Sequence, residues 1–356
     1  MKFLAVIMVL AAGVVGASLL VSRPLFDEPL DPQAIERVTV APVTEALTFA
    51  RYRGADGALH LLLVTAYRDG HVTGLDVQEE GATHDPDPIA LFRAVGYDTL
   101  AELATLGAEP VTVEAAALEL PFNVHSHNIG VGANYRAHAQ EAGVGEQPFL
   151  FPKIALPTRF TSDVAKLDAR LLDYEAELGL VLLDHLAVGM ATPTRLGLVL
   201  TNEMTDRWAL VRNYKPGAAM GTTGFADGKS RDGFAPIGPL LVIPRDFESF
   251  YQQIELRLYV DGRLRQRDRA ANMTWRPSEI LVQVFEKSAV PYYRADQTVP
   301  LVPGDFIPAG TIIFSGTPAG VIFKPLNLVN PWVYLQPGNE IVVSGDFLGT
   351  IRNRIR

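Results

Sequence analysis

The segment Asp173-Tyr174-Glu175-Ala176-Glu177-Leu178 opens an apolar run that continues to Leu183. Side chains of a strand alternate between its two faces, so Glu175 and Glu177 are expected on the same side. Two neighbouring carboxylates repel each other, and neither is cheap to bury. A divalent cation relieves both costs, and an all-oxygen donor set selects Mg²⁺, Mn²⁺ or Ca²⁺ over zinc. A hydrated strand edge would accommodate the same pair without an ion. A second apolar run, Leu196 to Thr201, ends in Asn202-Glu203 and offers a third carboxylate at a strand end.

Other chemistry-bearing residues sit in short polar interruptions. His138 and Glu141 are three apart in the segment Asn134 to Gly143, which reads as one or two helical turns closed by glycine. On one helix face, a carboxylate can hold an imidazole tautomer, raise its basicity or share a water with it. A surface ion pair is the plainer alternative. Lys229 lies in the glycine-flanked loop Gly228 to Gly233 and could reach over a site as a cation. The run Ile313 to Val321 ends in Gly316-Thr317-Pro318-Ala319-Gly320, a tight turn whose backbone N–H groups suit a carboxylate.

These groups need a scaffold of strands. Apolar runs at His127–Val131, Tyr174–Leu183, Leu196–Asn202, Leu240–Ile243, Ile254–Val260, Thr311–Phe314 and Glu340–Val343 read as strands. Arg136–Ala142 and Pro277–Phe285 read as helices. Upstream, Arg37–Val43, Leu59–Tyr67 and His71–Val77 alternate like strands, separated by Gly- and Asp-rich turns, and Pro88–Leu106 has helical spacing. The expected fold is α+β and β-dominated, with a small N-terminal α+β domain over 37–120 and the body over 121–356.

The chain has no cysteine, which excludes disulfides, thiolate nucleophiles and iron–sulfur clusters. A net charge of −9 argues against nucleic acid as partner. After Met1-Lys2, an almost unbroken apolar run extends from Phe3 to Val21. It reads either as a cleaved signal peptide, with small residues at Val15-Gly16-Ala17, or as a retained anchor, since about 20 apolar residues span a bilayer. The expectation is therefore segment 1–24 as signal peptide or anchor and 25–36 as linker. The body would then be exported or membrane-anchored on the extracytoplasmic (periplasmic) side.

Taken in order, these segments resemble the fumarylacetoacetate hydrolase superfamily from about His127 to Arg354. The resemblance rests on Asn134-Tyr135-x-x-His138-x-x-Glu141, Pro148 to Lys153, Asp173 to Leu178, Gly228-Lys229-Ser230 with Pro236 to Pro239, Asp261-Gly262 with Gln266, Pro303-Gly304-Asp305, Gly316 to Val321, and Leu348 to Asn353. It implies a β-roll body, a homodimer, a divalent metal (Mg²⁺, or Mn²⁺, with Ca²⁺ an alternative) and a small anionic oxo-acid substrate. It implies Glu175, Glu177 and Glu203 as metal ligands, His138, Glu141 and Lys229 as catalytic groups, and Tyr135, Lys153, Arg207, Gln266 and Thr317 as substrate-binding residues. The activity implied is C–C hydrolysis of an acylpyruvate-like or other 1,3-dioxo or 2-oxo acid. A lyase, decarboxylase, hydratase or isomerase reaction, or a non-catalytic oxo-acid binder, is the alternative. Three positions depart from the family pattern: Glu203 where aspartate is usual, Trp208 where an acid is usual, and Ile322 where the turn normally ends in glycine.

Overall fold

The computed structural model describes residues 13, 15–22, 25–26, 28–32, 38–77, 85–106, 109–187 and 194–356. Fourteen strands carry the architecture: β1 Ala46–Arg53, β2 Leu59–Arg68, β3 His71–Asp76, β4 Val111–Glu114, β5 His127–Gly132, β6 Phe149–Ile154, β7 Ala176–Leu182, β8 Leu196–Asn202, β9 Leu241–Pro244, β10 Glu255–Val260, β11 Arg263–Arg269, β12 Ile312–Phe314, β13 Glu340–Gly345 and β14 Gly349–Arg354. From residue 38 onward, six α-helices among the described residues accompany them: α1 Pro88–Leu103, α2 Arg136–Ala142, α3 Arg207–Asn213, α4 Phe225–Lys229, α5 Phe247–Tyr251 and α6 Pro277–Lys287.

Among the described residues, ten strands form one sheet in the order β4-β3-β2-β1-β9-β8-β7-β12-β5-β6, and four form a second in the order β11-β10-β13-β14. Only the β12–β5 pairing of the large sheet is parallel. The β7 and β8 side chains are buried throughout, which is why both strands read as near-continuous apolar runs. Alternation sends Leu178, Leu180, Leu198 and Leu200 to one face, where Leu256, Leu258, Ile341 and Val343 of the second sheet share their core. Val181 and Val199 point to the other face and pack with Ile89 and Phe92 of α1. The protein is thus mixed α+β and strand-dominated, with Glu177 on the central β7–β8 pair and Glu175 and Glu203 at its end.

The N-terminal strands continue the same sheet, because β1 pairs antiparallel with β9, from Ala46↔Pro244 to Phe49↔Leu241. Buried Arg51 strengthens this junction by donating to the carbonyls of Leu120, Phe122 and Pro86 and to Asn123 Oδ1. The first strand lies later than the apolar pattern suggested. Pro42 lacks an N–H, and a turn closes there with Glu45 and Ala46 N–H donating to Pro42 O, so 38–43 is not a strand. Arg37 lies outside the described residues. Helix α1 is broken at Gly96, whose φ of 80° is outside the helical region.

The expectation of export or membrane anchoring is corrected here. Among the described residues, no helix is long and apolar enough to cross a membrane. Residues 1–12, 14 and 23–24 of the N-terminal segment, and 27 and 33–36 of the linker, lie outside the described residues. The described stretch 15–21 is helical, and Ser18 is buried against the body with its Oγ donating to Asn327 Oδ1 at 2.9 Å.

Candidate metal centre and its cavity

The β7–β8 ladder brings the carboxylates together. Thr201 pairs with Glu177 and Asn202 with Ala176, and one step further the Glu203 N–H donates to Glu175 O at 2.8 Å. Glu175 and Glu203 thus face each other where the ladder ends, beside Glu177. All three are at most 4% exposed, and one oxygen of each lies within 4.8 Å of the others.

Three cations surround this cluster. Lys229 ends α4, and its Nζ donates to Glu175 Oε2 at 2.7 Å and Glu203 Oε2 at 2.5 Å. Arg207 begins α3 and bridges Glu175 Oε1 to Asp173, the latter through Nε at 2.9 Å. Both placements are local consequences of sequence. Thr205–Asp206 pairs with Leu172–Asp173, and Asp206 caps α3 by accepting from Trp208 and Ala209 N–H. Lys153 is fully buried on β6, donates to the carbonyls of Lys229 and Phe234, and lies 3.3 Å from Glu203 Oε1.

The glutamates are electrostatically unequal. Burial would raise the Glu175 carboxyl, but Lys229, Arg207 and His138 overcome it and hold Glu175 well below the usual carboxylate range. Burial, then the charges of Glu203 and Glu175, push Glu177 well above that range. Burial also lowers the Lys153 ammonium, while its effect on Lys229 is outweighed by Glu175 and Glu203, which raise it. Glu177 accepts from Gly316 N–H through Oε2 at 3.0 Å, but its buried Oε1 has no hydrogen-bond partner. A buried carboxylate oxygen left unpaired among like charges is what a hard cation would satisfy, so the three residues fit a divalent ion. With all four buried carboxylates ionised (Asp173 and the three glutamates), Lys153, Arg207 and Lys229 leave one net negative charge. A divalent ion would make the site net positive by one.

The turn after β12 binds carboxylates through its backbone N–H groups, as its sequence suggested. Its N–H groups are occupied by the protein's own carboxylates. Gly316 holds Glu177, Gly320 and Val321 hold Glu141 at 2.9–3.1 Å, and Ile322 and Phe323 hold Asp173. Gly320 has φ 109°, and a Cβ there would lie 2.0 Å from Arg265 O, so this clamp requires glycine. Held in this way, Glu141 Oε1 sits 3.4 Å from His138 Nδ1. Asn134 fixes the start of α2 by bonding Ser315 O and both backbone groups of Trp275.

A cavity of about 230 Å³ opens over the cluster, lined by Glu175, Arg207, Lys229, His138 and Thr317 together with apolar side chains. Glu177, Glu203 and Lys153 lie beside it without lining it. Besides Lys153, two expected substrate-binding residues do not line it either. Gln266 is fully buried, donates to Thr317 Oγ1 and Pro318 O, and accepts from Ala176 N–H, so its amide ties β11 to β7. Tyr135 is buried and does not line the cavity. Thr317 does line it, but its hydroxyl donates to Ala176 O. Asp173 enters the sequence motif only as a neighbour of the glutamates, yet it organises Arg207 and the turn. Its position two residues before Glu175 was the available signal.

A strand-dominated scaffold carrying a buried all-carboxylate cluster beneath a histidine–glutamate pair defines a candidate oxygen-ligated metal enzyme. The model of the family described as "Fumarylacetoacetate (FAA) hydrolase C-terminal" matches residues 127–356, more than half of the chain. The chain belongs to the fumarylacetoacetate hydrolase family. It is similar to the Bacillus subtilis oxaloacetate tautomerase YisK, with 28% identity over 261 residues, covering 70% of this chain and 76% of that one. It is also similar to the mitochondrial oxaloacetate tautomerase FAHD2B of Bos taurus, with 27% identity over 63% of this chain and 65% of that one. Among solved structures, the fumarylacetoacetate hydrolase of Exiguobacterium antarcticum aligns with TM-score 0.60 and 25% identity over 87% of this chain and 99% of that one. The 2-hydroxyhepta-2,4-diene-1,7-dioate isomerase of Mycobacterium marinum shares the fold, with TM-score 0.56 and 19% identity over 87% and 98%.

Proposed function

We propose that this chain is a divalent-metal-dependent enzyme that hydrolyses a C–C bond in a small acylpyruvate-like 1,3-dioxo acid. The observation that carries this reading is His138, beside clamped Glu141, in the wall of the cavity that Glu175, Arg207 and Lys229 also line.

Glu175, Glu177 and Glu203 would hold Mg²⁺, with Mn²⁺ or Ca²⁺ as alternatives, and the ion would act as a Lewis acid toward the substrate's oxygens. Glu203 is one methylene longer than the usual aspartate, which a cation tolerant of irregular geometry accommodates more readily. Arg207 and Lys229 attract the substrate carboxylate. His138 takes a proton from water, and Glu141 stabilises the imidazolium through Nδ1. The hydroxide adds to the distal carbonyl carbon. The bond from that carbon to the central methylene then breaks, its electron pair passing to the pyruvate half as an enolate. Lys229 offsets that negative charge, and His138 returns the proton to carbon. The products are a carboxylic acid and pyruvate.

A second reading is keto–enol tautomerisation of a 2-oxo acid, favoured by the likeness to YisK and FAHD2B. It uses the same proton-transfer groups without adding water. The two are separated by incubating metal-loaded protein with acetylpyruvate in ¹⁸O-water. Label in acetate supports the hydrolase. Enol–keto exchange with no cleavage product supports the tautomerase and overturns the first reading.

A further inference from the structure

The cavity has two chemically distinct ends. Its polar end is the Glu175–Arg207–Lys229 floor with His138. The rest of its wall is largely apolar, with Phe149, Leu210, Val211, Met220 and Phe225 prominent. Among the described residues lining it, the permanent cations are Arg207 and Lys229, and both are already paired. Arg207 serves Asp173 and Glu175, and Lys229 serves Glu175 and Glu203. One substrate carboxylate can be taken at the floor. A second, at the far end of the substrate, would lie against aliphatic and aromatic groups with no counter-charge among the described lining residues. Stripping water from a carboxylate there without a partner weakens binding, whereas an apolar tail gains from the same wall. Tyr214 lines the same cavity and offers a neutral hydroxyl, which suits an uncharged tail and cannot neutralise a carboxylate.

We infer that the substrate is a monoanionic oxo acid whose distal end is an uncharged, predominantly apolar tail, and that the site rejects dicarboxylates. The assignment rests on the oxo-acid reading above and narrows it. Leu210, Met220 and Phe225 are then specificity-determining residues, and they contact the tail. Tail burial in such a chamber improves binding by roughly fourfold per methylene until the space is filled.

The test is calorimetric binding to the Mg²⁺-loaded full-length protein, which needs no turnover. Pyruvate, 2-oxopentanoate and 2-oxohexanoate form a series of growing apolar tail, and 2-oxoglutarate supplies a charged end of similar length. Affinity rising along the series, with 2-oxoglutarate bound at least roughly a hundredfold more weakly than 2-oxohexanoate, supports the inference. Met220→Arg places a cation on the wall at a side chain that is one-third exposed, and should shift the 2-oxoglutarate to 2-oxohexanoate preference by tenfold or more. A retained Mg²⁺-dependent rise in melting temperature shows that this variant is folded. Tighter binding of 2-oxoglutarate than of 2-oxohexanoate by the wild type overturns the inference and leaves the oxo-acid reading intact. If no 2-oxo acid binds the metal-loaded protein, the oxo-acid reading fails, and the inference with it.

Discussion

Replacing Glu177 by glutamine separates what the cluster does with and without a cation. The substitution keeps shape and hydrogen-bonding capacity at a site 1% exposed and removes one negative charge. With carboxylate oxygens within 4.8 Å of one another, each ionised pair repels by at least about 3.5 kcal/mol at an effective dielectric constant near 20. The wild-type protein without metal avoids this by keeping Glu177 protonated, since burial and the charges of Glu203 and Glu175 raise its pKa well above 4.5. In the unfolded chain the same group ionises near 4.5. The folded state therefore holds one more proton above that pH, and stability falls as pH rises from 4.5 toward the raised folded value. The slope reaches at most about 1.4 kcal/mol per pH unit.

Glu177→Gln should remove this slope. In EDTA its melting temperature should exceed wild type at pH 8, by a few degrees for 1–3 kcal/mol, and match it near pH 4.5. Metal should behave oppositely. Wild-type protein gains about 2.7 kcal/mol at a hundredfold excess of Mg²⁺ over Kd, and more at pH 8 than at pH 5, because the ion must displace the Glu177 proton. The variant should lose that gain. Differential scanning calorimetry at both pH values, in EDTA and in Mg²⁺, reads all four quantities. A variant that is less stable than wild type in EDTA at pH 8 yet keeps the full metal shift would refute the reasoning.

Three further outcomes follow from the surrounding contacts. Asp173→Ala strips Arg207 of one of its two carboxylate partners and leaves the Ile322 and Phe323 N–H groups unpaired. Urea denaturation should show a loss of about 3–5 kcal/mol. Gly320→Ala meets both a positive φ and the Arg265 carbonyl, so it should cost about 1–3 kcal/mol and release Glu141. Hydrogen exchange of the 316–323 amides would report that release. His138→Ala should lower kcat about 10²–10⁴-fold while the Mg²⁺-induced rise in melting temperature persists, which steady-state kinetics and thermal melts check together.

The most legible parts of the sequence were those where a single physical rule acted alone. The β7 and β8 runs are apolar because both faces are covered, and the site glutamates stand out against that background. Helix α2 was legible from its spacing and from Gly143, which adopts the left-handed conformation at its C-cap. Strand β11, Arg-Leu-Arg-Gln-Arg-Asp-Arg, was not read as a strand, because its outward residues are charged and Leu264 and Gln266 alone are buried. Helices α3 and α4 are not legible because both are short, and α4 lies in Gly- and Asp-rich sequence. Their position is set by Asp206 capping and by packing on β6 rather than by any local period. The cavity's apolar wall could not be read either, since Phe149, Leu210, Met220 and Phe225 come from separate elements and look like ordinary core residues.

The β1–β9 pairing has a consequence for any fragment limited to the matched family region. Without β1, the Leu241–Pro244 strand would present unsatisfied backbone groups along a newly opened margin. Leu241 and Ile243 would lose the cover that Leu47 and Phe49 give them. Such a fragment would carry every residue of the metal centre and still have a sticky flank inviting strand-to-strand association, so soluble expression of the centre depends on a stretch of chain that contributes nothing to its chemistry.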